Sequence, residues 1–312
     1  MDPLTHIGTG FVLARAGLGA RHGRAAAVTL VTASIAPDVD YVMKAGGNAV
    51  YLEFHRGLTH SFAGIAALSL LLALIIRGIF LRSERPPPFG SLFGLAFAGM
   101  GTHLFLDFIN AYGIRPFLPF SGVWTSGDWV FIIDPLIWLL LLGAVVSSRF
   151  RPETAHRAAR AALAGIAVYI ALRAAGHGLA ERVVRGQFPQ AAKVGIIPLP
   201  GNPLPVSWGV ILTTPQGTAR GWISLVPRAI AVTETFSQPD GGPVVSRAMN
   251  TYTARVFHDF AQFPVQEVEA RPDGWRVAWR DLRFSFLTDE PRFMAEVLLT
   301  PDLNVRREGF SF

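Results

Sequence analysis

Histidine and aspartate residues recur next to apolar segments in the first half of the chain. His103 and Asp107 are four residues apart in such a segment, so a helix would place their imidazole and carboxylate on one face. His55 and His60 flank a glycine immediately before another apolar segment. Imidazole nitrogens and carboxylate oxygens bind zinc, manganese and iron, so this spacing indicates a metal site. A simpler interpretation of the His103/Asp107 pair is a hydrogen bond that joins two helices.

Three further residues belong to the same pattern. Asp38 and Asp40 follow Pro37, and a tight turn there would let both carboxylates reach one cation or two neighbouring cations. His6 lies one turn into the first apolar segment. Taken alone, these residues also fit a solvated turn and an interfacial histidine. The full set exceeds the four ligands typical of one zinc ion, so we predict two or three divalent ions, with zinc favoured and manganese or iron as alternatives. The predicted metal ligands are His6, Asp38, Asp40, His55, His60, His103 and Asp107.

An anion site is predicted beside these ligands. Arg56 has a planar guanidinium that matches phosphate oxygens. Thr59 or Ser61 could cap the following helix, whose N-terminal amides would favour an anion. A metal next to an anion pocket is the arrangement that phosphoester hydrolysis needs. The predicted catalytic residues are Asp38, Asp40, His60 and Arg56.

Two more carboxylates flank Trp129. Asp128 and Asp134 lie where another apolar segment begins, and acidic residues stabilise the N-terminus of a helix. Trp129 would anchor that helix at the membrane interface. As an alternative, Asp128 could bind the metal or orient a ligand histidine, and Asp134 could contact a metal ligand without binding the metal itself.

The composition indicates the kind of protein that positions these residues. Charged residues make up only 16% of the 312 residues, hydrophobic residues make up 51%, and cysteine is absent, so thiolate chemistry is excluded. The apolar segments 61–81, 89–109, 129–146 and 161–180 approach the roughly 20 residues that span a bilayer. Segments 3–18 and 25–36 would form a helical hairpin. We therefore predict an α-helical membrane bundle of about six helices, four of them long enough to span.

The charges divide the chain into two parts. Residues 1–185 carry 16 basic and 10 acidic residues, whereas residues 186–312 carry 12 of each. The basic surplus thus lies in the apolar part, and we expect the lipid bilayer rather than nucleic acid as a partner. The second part has ordinary polarity and alternating β-branched stretches around a turn at residues 271–274. We predict a helical membrane domain over residues 1–185 and a β-rich extramembrane domain over residues 186–312.

The turns between the apolar segments alternate in charge. Arginines cluster in the turns near residues 21–24, 82–85 and 149–160, whereas the histidines and aspartates occupy the other turns. The positive-inside rule makes the arginine-rich face cytoplasmic. We expect a multi-pass protein of the prokaryotic cytoplasmic (inner) membrane, with the metal site and the C-terminal domain on the extracytoplasmic side.

Six stretches of the first half carry a further signal in their order and spacing. They are MDPLTH (1–6), PDVD (37–40), HRGLTHS (55–61), HLFLD (103–107), PFS (119–121) and DWVFIIDP (128–135). Together they resemble a known family, the YdjM-like membrane-bound metal-dependent hydrolases, also described as LexA-binding, inner-membrane-associated hydrolases. The resemblance covers about residues 1–146 and implies a bacterial or archaeal membrane protein with metal-dependent hydrolase activity. A more distant similarity to zinc-dependent phospholipase C, which is all-helical and has a histidine and an acid four residues apart, favours a phosphoester substrate.

We therefore expect an integral-membrane hydrolase that uses metal-activated water on a small-molecule or lipid-like phosphoester. One alternative is a non-catalytic membrane protein with a structural metal site and a partner-binding C-terminal domain. Another is an ion- or proton-coupled transporter, which fits less well because the ionisable groups cluster at one end of the predicted bundle. The sequence leaves the oligomeric state open.

Overall fold

The structure, a computed structural model, describes residues 1–237, 242–286 and 293–312. The chain forms two compact units. Unit 1 comprises Met1–Asp40, Arg56–Ala175 and Gly201–Pro203, and unit 2 comprises Tyr41–His55, Gly176–Pro200 and Leu204–Phe312. The predicted domain boundary at residue 185 stays a prediction.

Seven helices occupy the first part of the chain. They are α1 (Pro3–Arg15), α2 (Gly23–Ala33), α3 (Asn48–Phe54), α4 (Phe62–Ile79), α5 (Phe89–Phe108), α6 (Pro135–Phe150) and α7 (Ala155–Gln187). Short 3-10 segments at Ala20–His22, Ala36–Gly46 and Leu58–His60 connect them.

Within the described part of residues 193–312, eight strands and two further helices follow. They are β1 (Lys193–Ile197), β2 (Ser207–Thr214), β3 (Gly217–Leu225), β4 (Arg228–Phe236), α8 (Gly242–Met249), α9 (Tyr252–Phe260), β5 (Pro264–Arg271), β6 (Gly274–Asp281), β7 (Met294–Leu299) and β8 (Val305–Ser311). The strands form two antiparallel sheets, β1-β2-β3-β4 and β5-β6-β7-β8. The hairpin predicted at residues 271–274 joins β5 to β6 and is confirmed.

The predicted fold class, a helical membrane bundle with a β-rich C-terminal part, is confirmed. Among the described residues, four helical stretches are long and apolar enough to cross a membrane: Ala20–Gly46, α4, α5 and α7. The predicted spanning segment 129–146 is corrected, because its helix begins only at Pro135 and is 16 residues long. Instead, α2 and the 3-10 segments on both sides of it form one helical stretch of 27 residues, Ala20–Gly46.

Local capping determines where several of these helices begin. Asp2 accepts hydrogen bonds from the backbone amides of Leu4 and Thr5, and Pro3 occupies the first turn of α1. Asp134 and Pro135 start α6 in the same way. Of the two predicted caps, Thr59 and Ser61, it is Ser61 that caps α4, by accepting a hydrogen bond from the amide of Gly64. A proline in the first turn has no amide to leave unsatisfied, so both helix starts need only a short polar cap.

Small residues bring three helices of unit 1 into close contact. A Cβ on Gly99 of α5 would lie 2.7 Å from the Ala33 Cβ of α2. A Cβ on Gly10 of α1 would lie 2.4 Å from Oγ of Ser34. Membrane helices associate through such small-residue contacts, since lipid removes most of the hydrophobic drive between them. This packing holds the end of α2 against α5, where the predicted metal ligands lie.

Unit 2 has its own packed core. Ala180 and Val184 of α7 are buried against the first sheet, with Trp208 at the start of β2 fully buried beside them. The second sheet is covered by α8 and α9, and α3 adds a hydrogen bond from Asn48 Nδ2 to the Phe310 carbonyl of β8.

Candidate metal centre

Four side chains that are far apart in the sequence meet inside unit 1. His103 and Asp107 lie one turn apart on α5, His60 ends the 3-10 turn before α4, and Asp38 lies in the 3-10 segment after α2. One donor atom from each lies within 4.8 Å of every other. The side chains of His60, His103 and Asp107 are fully buried, and that of Asp38 is 22% exposed.

The spacing of these donors matches a tetrahedral metal site. His60 Nε2 lies 3.0 Å from His103 Nε2, and both nitrogens lie 3.3 Å from Asp107 Oδ2. Asp38 Oδ1 lies 3.5 Å from His60 Nε2 and 3.6 Å from His103 Nε2. Ligands about 2.1 Å from a central ion in tetrahedral geometry are about 3.4 Å apart. The nitrogen and oxygen donor set therefore fits a divalent ion such as zinc.

Hydrogen bonds on the far side of each ring orient the two imidazoles. His103 Nδ1 lies 2.7 Å from the Ser34 carbonyl oxygen, and His60 Nδ1 lies 3.1 Å from Asp40 Oδ2. An N–H on Nδ1 in both rings leaves both Nε2 atoms with a lone pair. Two lone pairs aimed at each other in a buried space repel, and a cation between them removes that repulsion. Metal-binding histidines usually donate their second N–H to an oxygen in this way.

Asp40 contacts the side of the His60 ring that faces away from the other donors. Its Oδ2 also accepts from the Arg56 backbone amide at 3.0 Å and from Thr59 Oγ1 at 2.7 Å. These contacts give Asp40 an orienting function toward His60. Direct coordination of metal by Asp40 stays a prediction.

The second carboxylate oxygen of Asp107 contacts two basic groups and another histidine. Oδ1 lies 2.9 Å from Arg56 Nη2 and 3.3 Å from His6 Nε2, and it contacts the amino group of Met1. The His6 ring stacks on His103 with 3.7 Å between centroids. Neither ring nitrogen of His6 has a hydrogen bond within the described residues, although the side chain is fully buried. Buried polar atoms rarely stay unpaired, so this face of the cluster is a second candidate position for a cation.

Arg56 lies inside the same network. Its backbone has a φ of 54°, and its guanidinium also donates to Asn110 Oδ1 at 3.1 Å and lies 4.6 Å from the centre of the Tyr112 ring. The side chain is nearly fully buried and points at Asp107. Arg56 thus holds the Asp107 carboxylate, and phosphate binding by Arg56 stays a prediction.

Three predicted residues remain, His55, Asp134 and Asp128, and metal binding by His55 stays a prediction. His55 belongs to unit 2, where it ends α3 and stacks on Tyr51 with 4.4 Å between ring centroids. Asp134 caps α6 and accepts from the Tyr169 hydroxyl at 2.6 Å, so its described contacts join α6 to α7. Asp128 lies in the loop before α6 with a φ of 54°.

Sequence reasoning missed Ser34, and it considered Thr59 only as a possible helix cap. Ser34 contacts His103 through its backbone carbonyl, and because every residue has such a carbonyl, the residue type does not reveal this contact. Thr59 was visible beside His60, but its hydroxyl acts on Asp40, a partner 19 residues away.

The apolar helices and the buried cluster of histidines and carboxylates define a membrane protein with a candidate metal site. A family model described as YdjM inner membrane protein matches residues 1–180. The match covers more than half of the chain, so the chain belongs to this family, as its motifs predicted. A second model, the YfhP C-terminal alpha/beta plait domain, matches residues 243–311, from α8 through β8.

The chain is also similar to a protein of Bacillus subtilis (strain 168) described as uncharacterized protein YfhP. The two are 32% identical over 152 residues, which is 46% of this chain and 45% of the relative. The match thus spans less than half the length of this relative. No solved structure matches the chain.

Proposed function

We propose that this membrane protein is a metal-dependent hydrolase that cleaves a phosphoester, with an amphiphilic or lipid-like ester as the favoured substrate. The observation that carries the proposal is the convergence of two imidazole Nε2 atoms and two carboxylates at tetrahedral spacing. A divalent ion bound there would polarise an ester oxygen and activate water.

The chain's own residues support this chemistry in distinct ways. Asp40 and the Ser34 carbonyl hold the two imidazoles with Nε2 facing inward. Arg56 offsets part of the negative charge of Asp107. Asp38 is the ligand with an exposed edge, so substrate and water would approach from its side. The cost of keeping these ionisable groups in an apolar bundle favours a function for them.

We also propose that the cluster binds more than one ion. The ring nitrogens of His6 make no hydrogen bond to any residue that the structure describes, and Nε2 lies 3.3 Å from Asp107 Oδ1, so His6 would be the ligand of a second ion. We propose two or three ions, with zinc favoured over manganese or iron. Paired ions about 3.5–4 Å apart are a common device for phosphoester cleavage.

Metal content of the purified full-length protein tests the centre of the proposal. After supplementation and removal of loose metal, we expect at least about one tightly bound ion per chain. His60→Ala and Asp107→Ala should lose it. His156→Ala, which removes an exposed histidine of α7, is the matched control and should keep it. Less than about one ion in the wild type, or full content in both cluster variants, would refute the site.

Substrate class requires a separate assay. Metal-loaded protein in mixed micelles is given a phosphomonoester, a phosphodiester and a carboxylic ester with the same chromogenic leaving group. We expect turnover of a phosphoester that Asp38→Ala and His60→Ala abolish. Cleavage of the carboxylic ester alone would contradict the phosphoester part of the proposal and leave hydrolysis standing.

The burial of the cluster favours a second candidate, a structural metal site in a non-catalytic protein. Three of the four donors have fully buried side chains, as in closed structural sites. Cobalt substitution separates the two cases, because an open coordination position lets added azide change the visible spectrum. An unchanged spectrum together with absent turnover would support the structural site.

The orientation in the membrane is proposed from the arginine-rich turns. We place the cluster and the C-terminal domain on the extracytoplasmic side of a multi-pass protein of the cytoplasmic membrane. Alkaline phosphatase fused to the C-terminus should be active, and green fluorescent protein fused there should not fluoresce. The reverse result would overturn this orientation.

A further inference from the structure

A cavity of about 560 Å³ lies in unit 1 between the turn that joins α1 to α2 and the first turns of α5. Arg21 and His22 line it from the turn, and Gly90, Ser91 and Gly94 line it from α5. Arg21 bridges the two sides, because its Nε donates to His22 Nε2 at 3.1 Å and its Nη2 donates to Ser91 Oγ at 3.4 Å.

The cavity lies at the opposite end of α5 from the metal cluster. Gly90 and Asp107 are 17 residues apart on one continuous helix, which corresponds to about 26 Å. This length is close to the thickness of the hydrocarbon core of a bilayer. Since α5 is long and apolar enough to span, the cavity falls at the level of the lipid headgroups on the side away from the cluster.

The side of the helices that holds the cavity is strongly positive. Arg160 of α7 donates to the Ala16 carbonyl at 3.0 Å, and its Nη2 lies 3.6 Å from the position of a Cβ on Gly17 in the cavity wall. The helix ends and turns on this side carry ten arginines and two glutamates. They are Arg15, Arg21, Arg24, Arg77, Arg82, Arg85, Arg149, Arg151, Arg157 and Arg160, with Glu84 and Glu153.

The lining is polar on one side and apolar on the other. The polar side is formed by Arg21 and Ser91, and the apolar side is formed by Leu18, Leu95 and Ala98. A phosphate group would meet the guanidinium, which binds such oxygens in a planar fork. The apolar part would contact the glycerol and the first carbons of an acyl chain. An amphiphile matches both parts, whereas free phosphate matches only the first.

We propose that this cavity binds the phosphate headgroup of an anionic phospholipid, at a site separate from the metal cluster and independent of hydrolase activity. Arg21 contacts the phosphate, with Arg160 contributing positive charge from the neighbouring helix. Each basic residue near an anionic lipid surface contributes about fivefold in affinity.

The glycines of the wall allow the cavity to be filled without disturbing the fold. A Cβ on Gly94 or Gly90 would meet nothing within 4 Å, so Gly94→Leu projects into the cavity and Gly90→Leu is a second version of the same test. Gly143→Leu is the matched control, because Gly143 in α6 is equally open and lies outside the cavity. Arg21→Gln removes the lining charge, and Arg24→Gln removes an exposed charge of the same turn that does not line the cavity.

Native mass spectrometry of the full chain released from detergent measures the binding. Palmitoyl-oleoyl phosphatidylglycerol, palmitoyl-oleoyl phosphatidylcholine and inorganic phosphate are titrated in separate arms. We expect phosphatidylglycerol to bind at least about fivefold tighter than phosphatidylcholine, and inorganic phosphate to leave lipid binding unchanged. Gly94→Leu should weaken phosphatidylglycerol at least about tenfold and Arg21→Gln about fivefold, with both controls within about twofold of wild type.

Three results would overturn the proposal. Wild-type binding by both folded glycine variants would mean that lipid does not enter the cavity. Equal losses in Arg21→Gln and Arg24→Gln would indicate general attraction to a basic surface. Displacement of the lipid by inorganic phosphate would indicate a free-phosphate site instead. Retained metal content in the variants would distinguish all three results from a failure of the metal cluster.

Discussion

Asp40→Asn offers the sharpest test of how the cluster is supported. The Asp40 carboxylate lies behind His60, at 3.1 Å from Nδ1, and it also accepts from the Arg56 amide and the Thr59 hydroxyl. Asparagine keeps the size and one oxygen acceptor but removes the negative charge. His60 should then become a weaker base at Nε2, the atom that faces the cluster.

The magnitude follows from two contributions. Loss of the carboxylate behind a metal-binding histidine lowers metal affinity about 10- to 100-fold, or about 1.4–2.7 kcal/mol. Asp40→Ala should add a loss of stability, because the buried Arg56 amide and His60 Nδ1 would each lose an acceptor, at about 1–3 kcal/mol each. The asparagine variant thus reports mainly on the metal and the alanine variant on both.

Competition with a zinc chelator measures the affinity, and thermal unfolding of the metal-free protein measures the stability. Asp302→Asn is the control, because it removes an exposed carboxylate between β7 and β8, in unit 2, whereas the four donors belong to unit 1. The reasoning is refuted if Asp40→Asn binds zinc within about twofold of wild type. A loss of one whole ion per chain would instead assign Asp40 as a direct ligand.

Three further predictions concern single contacts. His6→Ala should reduce the metal count by one ion while another stays bound, and mass spectrometry showing an unchanged count would exclude His6 as a ligand. Gly64→Ala should disrupt the turn before α4, because the added Cβ would lie 1.8 Å from the Leu58 carbonyl oxygen, and should therefore lower both metal content and melting temperature. The control Gly78→Ala, where a Cβ meets open space, should leave both unchanged. Burial and a hydrogen bond to Glu53 raise the pKa of Tyr252 from 10.0 to about 12, so the protonated phenol stabilises the fold below pH 10 and this contribution is lost as the pH rises toward 12. Tyr252→Phe should therefore show a flatter fall in melting temperature between pH 10 and pH 12, and an equally steep fall would contradict the assignment.

Much of the fold is predictable from the sequence because its signals act over a single turn or a single apolar run. The Asp2-Pro3 start of α1, the cap at Ser61 and the hairpin at residues 271–274 follow from local backbone chemistry. The start of α6 was predicted too early, since hydropathy alone extends the segment back to residue 129. Asp134-Pro135 carries the same start signal as Asp2-Pro3 and places the helix correctly.

The site is predictable only in part. The spacing of His103 and Asp107 on α5 follows from the helical repeat, and the motif around His60 indicates a ligand before α4. Which atom each ligand presents does not follow. That depends on the Ser34 carbonyl and the Asp40 carboxylate, which reach the two rings through contacts between separate segments.

The sequence by itself determined the residue types of the cluster, the apolar helices that carry them and the family to which the chain belongs. Tertiary structure alone decided that Nε2 of both histidines faces Asp107, and that Arg56 holds Asp107. The physical reason is the sequence distance over which each interaction acts. Helix caps and helical periodicity depend on residues a few positions apart, whereas the orientation of an imidazole ring depends on contacts between helices that are far apart in the sequence. In this protein that contact depends on Gly10 and Gly99, whose missing side chains let α1, α2 and α5 approach closely enough for a backbone carbonyl to reach an imidazole.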